Sequence, residues 1–296
     1  MKVQIYAEMP NGQRTLKIPS PWSQLAVYFA LLGGMLIAVP AILAIFQAGT
    51  KGPLSNDALK LEQVVSSIIF FGGTAYFYAR MTFSDRPLNH LGLRPAHSYL
   101  FYVLAIIMIL AAAPLYFWLG QLNKNIPFPG WVVEMENSAQ ARIATLLTAG
   151  SPLGIVINFI VLALLPAIVE EACFRGALQR ILIQCFKSPW LGIVVTAFLF
   201  SAIHFQFLGF LPRMFLGILL GALYWYSGSL WVSILAHFIT NAGQLVLVLF
   251  IPSLAQKDPI IPFYAALISL LIVVGLLFVT YKRSDTGFAK EYGPFD

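Results

Sequence analysis

Glu170 and Glu171 stand side by side, and Arg175 follows four positions after the second. Directly before them, Ile143 to Val169 contains no Asp, Glu, Lys, Arg or His. Further along come His204 in FSAIHF, then His237 and Asn241 in LAHFITNAG. These are the residue types of water-driven hydrolysis. A carboxylate and an imidazole can take a proton from water, and imidazole or amide N–H groups can hold the negative charge that grows on an attacked carbonyl. Ionisable groups inside apolar segments are costly, about +2.5 to +3.5 kcal/mol for a central charge, so they usually face a bundle interior or a wet cavity.

Helical geometry divides the labour among them. At about 100° per residue, Glu171 and Arg175 form an i,i+4 pair on nearly one face. Glu170 points roughly 100° away from Glu171 and has no partner on its own helix. The expected arrangement makes Glu171 and Arg175 a supporting ion pair and leaves Glu170 free, as suits a general base. Depth brings the next motif to the same level. From Lys187 back to Glu170 is about 25 Å of helix, and from Pro189 forward to His204 about 22 Å, across a turn that makes the two helices antiparallel. His237 and Asn241 are again i,i+4 and share one face.

The elements that must position these residues are membrane helices. Of 296 residues, 59% are hydrophobic and only 10% charged, against about 25% charged in soluble domains. The fold class expected is therefore all-α: a polytopic membrane bundle of about eight transmembrane helices. They lie near 24–47, 63–79, 98–122, 153–172, 189–207, 210–227, 229–252 and 260–281. The expected organisation is a polar N-terminal tail over 1–20, one transmembrane domain over 21–282 with the motif-bearing core at about 153–246, and a short tail over 283–296. The first apolar run follows that polar tail and is too long for a signal-peptide core, so it is expected to stay as an anchor. With eight spans, the tails and even-numbered connections hold 12 of the 18 Lys and Arg residues. This bias places both termini in the cytoplasm, and the net charge of +6 reads as topology, not as nucleic-acid binding.

Cys173 and Cys185 lie about 18 Å apart on one helix, too far for a disulfide. Trp131 and Glu134 to Arg142 can form an amphipathic helix on the outer surface. His90 and His97 read as surface residues of a cytoplasmic loop. Arg213 is expected to snorkel to the interface, and Gly209, Gly217, Gly221 and Gly228 to permit close helix approach.

Glu-Glu-x-x-x-Arg at 170–175, Phe-x-x-x-His at 200–204 and His-x-x-x-Asn at 237–241, in that order on successive spans, resemble the CAAX-protease and bacteriocin-processing family of intramembrane proteases. LGLRP at 91–95 and the run from Gly217 to His237 are similar to segments common there. The resemblance is close over Leu164 to Gly243. It implies peptide-bond hydrolysis within the membrane: Glu170 and His204 activating a water, His237 and Asn241 stabilising the oxyanion, Glu171 and Arg175 supporting. The implied partners are the lipid bilayer and a membrane-associated protein or peptide substrate, a prenylated one among the options, with no nucleic acid.

The cofactor stays open between none and zinc. If zinc is used, Glu170, His204 and His237 form an acceptable His₂Glu shell with one position for water, although the local HExxH signature is absent. G-x-S-x-G is absent too, which argues against that serine-hydrolase class. The motifs also have structural readings, as an ion cluster and as polar bridges between helices. The rival function is accordingly a non-catalytic immunity, scaffold or transport-associated membrane protein on the same fold.

Overall fold

The computed structural model describes residues 16–49, 54–147, 151–250 and 259–287. Most of the 1–20 and 283–296 tails lies outside these residues. Among the described residues the chain is a helical bundle, with a single isolated bridge between Leu16 and Phe83 as its only β pairing. The helices are α1 (Pro21–Ala48), α2 (56–82), α3 (Leu100–Lys124), α4 (Gly130–Leu147), α5 (Pro152–Phe186), α6 (Pro189–Ala202), α7 (Phe210–Ser227), α8 (Leu230–Phe250) and α9 (Phe263–Arg283).

Among the described residues six helices are long and apolar enough to cross a membrane: α1, α3, α5, α7 with the short turn before it, α8 and α9. The chain is an integral membrane protein. The other two expected spans fall on α2 and on α6, which is apolar but shorter. Large apolar side chains such as Ile37, Leu110 and Leu271 stand exposed along the helices, as lipid-facing positions do in a bundle without a water-facing coat.

One device starts three of these helices. Ser20, Ser151 and Ser188 each cap the first turn through the side chain, accepting from the backbone N–H of Ser23, Gly154 and Leu191, with Pro at the next position. Serine satisfies an orphan N–H, and proline supplies the helical φ where its missing N–H does no harm. Stops are equally local. Lys187 in the left-handed region (φ 51) ends α5, and Gly228 (φ 64) ends α7, its N–H bonded to the Tyr224 carbonyl at 3.0 Å.

α5 is not uniform. It winds as π-helix over Ile160–Leu164 and Ala172–Gln179, on either side of the α-helical Leu165–Glu171. Single-turn π segments recur at functional sites because they rotate side chains off the ordinary helical register.

Two apolar cores meet at the motifs. One joins α3, α7, α8 and α9 through Met108, Leu219, Leu223, Val232 and Val273. The other joins α1, α2, α5 and α6 through Tyr28, Tyr78, Phe174 and Phe200. Glycines set how closely α7 approaches. A Cβ on Gly217 would meet Ala197 Cβ at 2.9 Å, and one on Gly221 would meet Gln179 Oε1 at 2.6 Å.

The LGLRP loop positions the start of α8. Gly92 adopts φ 85, and a Cβ there would meet Tyr224 Oη at 2.6 Å. The Gly92 carbonyl accepts from Leu230 N at 2.9 Å, the Arg94 carbonyl from Ser229 Oγ at 2.6 Å, and Arg94 Nε donates to the Gly228 carbonyl at 3.0 Å. That fixes the first turn of α8, and with it the height at which its polar residues enter the bundle. In the same connection His90 is half-buried, stacked on Phe83 at 4.2 Å. Burial lowers its pKa below the ordinary histidine value.

Candidate active site

Glu171 is the hub of the site. Its Oε1 accepts from Arg175 Nη1 at 2.7 Å, across the i,i+4 spacing expected from the sequence. The same oxygen lies 2.8 Å from His237 Nδ1, and Oε2 accepts from Ser233 Oγ. Glu171 and Arg175 are both fully buried. Arg175 also donates from Nη2 to the Gly217 carbonyl at 3.1 Å and lies over the Phe200 ring, 4.5 Å from its centroid. A buried charge pair is more tolerable when its remaining hydrogen-bonding capacity is met; here three helices contribute, α5, α7 and α8, and Arg175 Nε alone of the guanidinium nitrogens finds no partner among the described residues.

One turn along α5 the pattern repeats with a neutral group. Gln179 Nε2 donates to the Gly221 carbonyl at 3.0 Å, so two side chains four apart on α5 bond two carbonyls four apart on α7. The close approach permitted by the glycines makes both bonds possible.

The two imidazoles are oriented from behind. His237 Nδ1 faces a carboxylate, and His204 Nδ1 faces the Phe200 carbonyl at 2.7 Å. Neither partner can donate, so in both rings Nδ1 carries the proton and donates it. Nε2 of each ring then faces into the site. Both converge on one oxygen: His204 Nε2 lies 3.8 Å and His237 Nε2 3.9 Å from Glu170 Oε2. These separations exceed a direct hydrogen bond and are the range in which a bridging water is sought. Glu170 and His237 are buried, while the His204 side chain keeps 24% of its surface exposed.

The site loop is braced from outside. α6 ends at Ala202, and Phe205 takes φ 54 in the turn that returns the chain to α7. Asn123, buried at the end of α3, donates to the Phe207 carbonyl at 2.7 Å and accepts from Leu211 N at 2.7 Å. Arg213 departs from the snorkelling expectation. Its guanidinium turns back on the loop, bonding the Gln206 carbonyl at 3.2 Å and Gln206 Oε1 at 3.0 Å.

Of the residues singled out in the sequence, Glu170, Glu171, Arg175, His204 and His237 come together. Asn241 sits one turn beyond His237 on α8, half-buried, and its side chain makes no hydrogen bond among the described residues. Ser233, Gln179 and Asn123 were not singled out. Ser233 was accessible to the same reasoning, since it stands four before His237 on one helix face.

As a zinc shell the trio is loose. Tetrahedral ligands about 2.0–2.1 Å from zinc stand roughly 3.3–3.4 Å apart, whereas Glu170 stands 3.8 and 3.9 Å from the two rings. Among the described residues no group of three or more His, Cys, Asp or Glu is gathered so as to hold a metal ion. Cys173 and Cys185 are both free thiols; Cys173 is buried with its Sγ 3.1 Å from Tyr28 Oη.

Comparison with known proteins points the same way as the motifs. Residues 152–243 match the Rce1-like family, described as type II CAAX prenyl endopeptidase Rce1-like. A Bacillus subtilis (strain 168) protein described as uncharacterized protein YpbD is 35% identical over 89 residues, which is 29% of this chain and 42% of that protein. The chain thus spans under half the length of that curated relative. No solved structure matches. The matched stretch runs from the start of α5 to Gly243 in α8 and contains Glu170, Glu171, Arg175, His204, His237 and Asn241, so over this segment, under half of its length, the chain is similar to the Rce1-like family.

Proposed function

We propose that this protein is an intramembrane endopeptidase that hydrolyses a peptide bond of a membrane-associated protein or peptide. The observation that carries the reading is the convergence of two imidazole Nε2 atoms on Glu170 Oε2 at 3.8 and 3.9 Å, with both rings held from behind. A water between Glu170 and His204 meets two acceptors. It gives one hydrogen bond to each, and its oxygen lone pair is turned towards the carbonyl carbon it attacks. Glu170 takes the proton as the bond to carbon forms.

The carbonyl oxygen then carries the charge. His237 is placed to hold it through an Nε2–H, with the Glu171 carboxylate behind Nδ1 orienting the ring as a carboxylate orients the imidazole of a serine-protease triad. The Asn241 amide, which makes no hydrogen bond among the described residues, supplies a second donor. The tetrahedral intermediate collapses when the departing amine receives the proton from Glu170, leaving a free amine and a carboxylic acid whose proton passes to His204 to give the carboxylate. No step is assigned to zinc.

The test uses the purified full chain in detergent or nanodiscs with a membrane-spanning peptide. Glu170→Ala and His204→Ala should each abolish cleavage while the protein remains folded. Cleavage undiminished by either change removes the mechanism. An in vivo phenotype that survives Glu170→Ala would instead favour the scaffold or immunity role.

A further inference from the structure

The two ends of the site differ. Towards the start of α8, residues 232–234, 236 and 237 are buried, and on α7 so is every residue from Leu219 to Ser227. In the other direction burial relaxes. Thr240 and Asn241 are half-buried, Gly243 and Gln244 exposed, and on the facing loop His204 and Gln206 half-buried. Gln244 Nε2 donates to Tyr116 Oη at 3.2 Å. Polar side chains that are neither buried nor matched to lipid mark a wet approach, and this is the side from which a substrate reaches His204.

Arg213 stands in that approach. Its Nη1 donates to the Gln206 carbonyl at 3.2 Å and the Ser201 carbonyl at 3.4 Å, and its Nη2 to Gln206 Oε1 at 3.0 Å. A guanidinium has five N–H donors, so part of the fork stays open. All three acceptors are neutral, and Arg213 forms no ion pair among the described residues. Glu136 on α4 and Glu170 lie within electrostatic reach of it without pairing, and so does His204. Holding a loop in place requires hydrogen bonds, which a neutral side chain supplies without the penalty of a cation at membrane depth. A cation whose hydrogen bonds all go to neutral acceptors keeps donor capacity for an anion that arrives with the substrate.

We infer that Arg213 is a substrate-binding residue, whose open guanidinium edge takes a carboxylate carried by the peptide near the bond to be cut. The inference rests on the proteolytic reading for the position of that bond and adds the chemistry of recognition. Arginine suits the role because its planar fork matches a carboxylate with two parallel bonds, and the loop bonds to Gln206 hold that plane still. Two sources supply such a group: the free C-terminus of a peptide cut close to its end, or an Asp or Glu side chain beside the cut.

The experiment uses the full chain carrying Glu170→Gln, so that nothing is consumed, in detergent micelles. Three fluorescein-labelled peptides of one apolar sequence are compared by anisotropy: a free C-terminal acid, the C-terminal amide, and the amide with one internal Asp. One carboxylate peptide should bind about ten- to a hundredfold more tightly than the neutral amide, the range of hydrogen bonds to charged groups. The peptide that does so names the source. Adding Arg213→Gln should erase the difference. Equal binding of all three peptides, or a preference that survives Arg213→Gln, overturns the assignment.

If the Gln variant does not fold, Arg213→Lys decides. A point charge without the fork should weaken the preference, and an unchanged preference overturns the assignment. Cleavage is scored separately with Glu170 intact. Preference without cleavage keeps Arg213 and removes the protease reading; cleavage without preference does the reverse.

Discussion

Exchanging Glu171 for Gln removes one charge and nearly nothing in volume, so its effect isolates what that charge does. Arg175 is fully buried and loses the one counter-ion paired with it among the described residues. The Gly217 carbonyl at 3.1 Å and the Phe200 face at 4.5 Å remain. Leaving one member of a buried pair uncompensated is worth about 3–5 kcal/mol of stability. At about 2–4 °C per kcal/mol for a large domain, the melting temperature should fall by roughly 6–20 °C. Glu170→Gln should behave differently, because Glu170 meets only imidazole nitrogens at 3.8 and 3.9 Å and no guanidinium within pairing distance. Its melting temperature should stay within about 2 °C of the parent while cleavage is lost. Unmasking of the buried Cys173 thiol, followed with a thiol-reactive dye during heating, measures both variants in micelles. Adding Arg175→Met to Glu171→Gln should recover part of the loss, since a buried pair removed whole is milder than one removed by half, but should not recover activity. A Glu170→Gln protein that melts lower than Glu171→Gln would refute this division of roles.

The other predictions follow from single contacts. Gly217→Ala should destabilise by about 1–3 kcal/mol through overpacking, because its Cβ would meet Ala197 Cβ at 2.9 Å and Cα at 3.0 Å; a thermal melt reads it. Chelation by 1,10-phenanthroline should leave cleavage unchanged if no metal acts; loss restored by added zinc would instead assign Glu170, His204 and His237 as its ligands. His90, whose burial lowers its pKa, binds its proton more readily in the unfolded chain. Its contribution to stability should be complete above the unfolded value of about 6.5 and be lost as pH falls below it. That pH dependence, followed by melting temperature between pH 7.5 and 5.5, should flatten in His90→Phe.

Much of the site could be read from spacing alone. The i,i+4 rule found the Glu171–Arg175 pair, and the depth count placed His204 level with Glu170, because both depend only on helical rise and on one turn with clear Ser-Pro and left-handed signals. Glu170 has no ion-pair partner on its own helix among the described residues, as the 100° offset implies, but Glu171 holds more than Arg175. His237 reaches both carboxylates with opposite edges of one ring, and no property of α5 alone reports what α8 brings to it. Arg213 was read as snorkelling because a cation near an apolar helix end ordinarily does. Its return to Gln206 depends on the loop conformation around Phe205, which is a tertiary outcome. The π-helical turns in α5 have no sequence signature to find, and Asn123 serves the site from eighty residues away. Eight apolar runs are expected as spans, and six of them fall on helices long and apolar enough to cross a membrane among the described residues; that α6 stops at Ala202 was not legible, since the apolar pattern continues into the loop.

The central claim is that Glu170 and His204 act on one water. It is tested most directly by a double-mutant cycle on kcat/KM, with Glu170→Gln, His204→Gln and the two combined, measured on one peptide. Groups that work as a unit lose function as a unit, so the double variant should be no slower than the slower single one, with a residual rate common to all three. Losses that multiply, each change costing its full factor in the presence of the other, would mean that the two residues serve separate steps, and the account would be wrong.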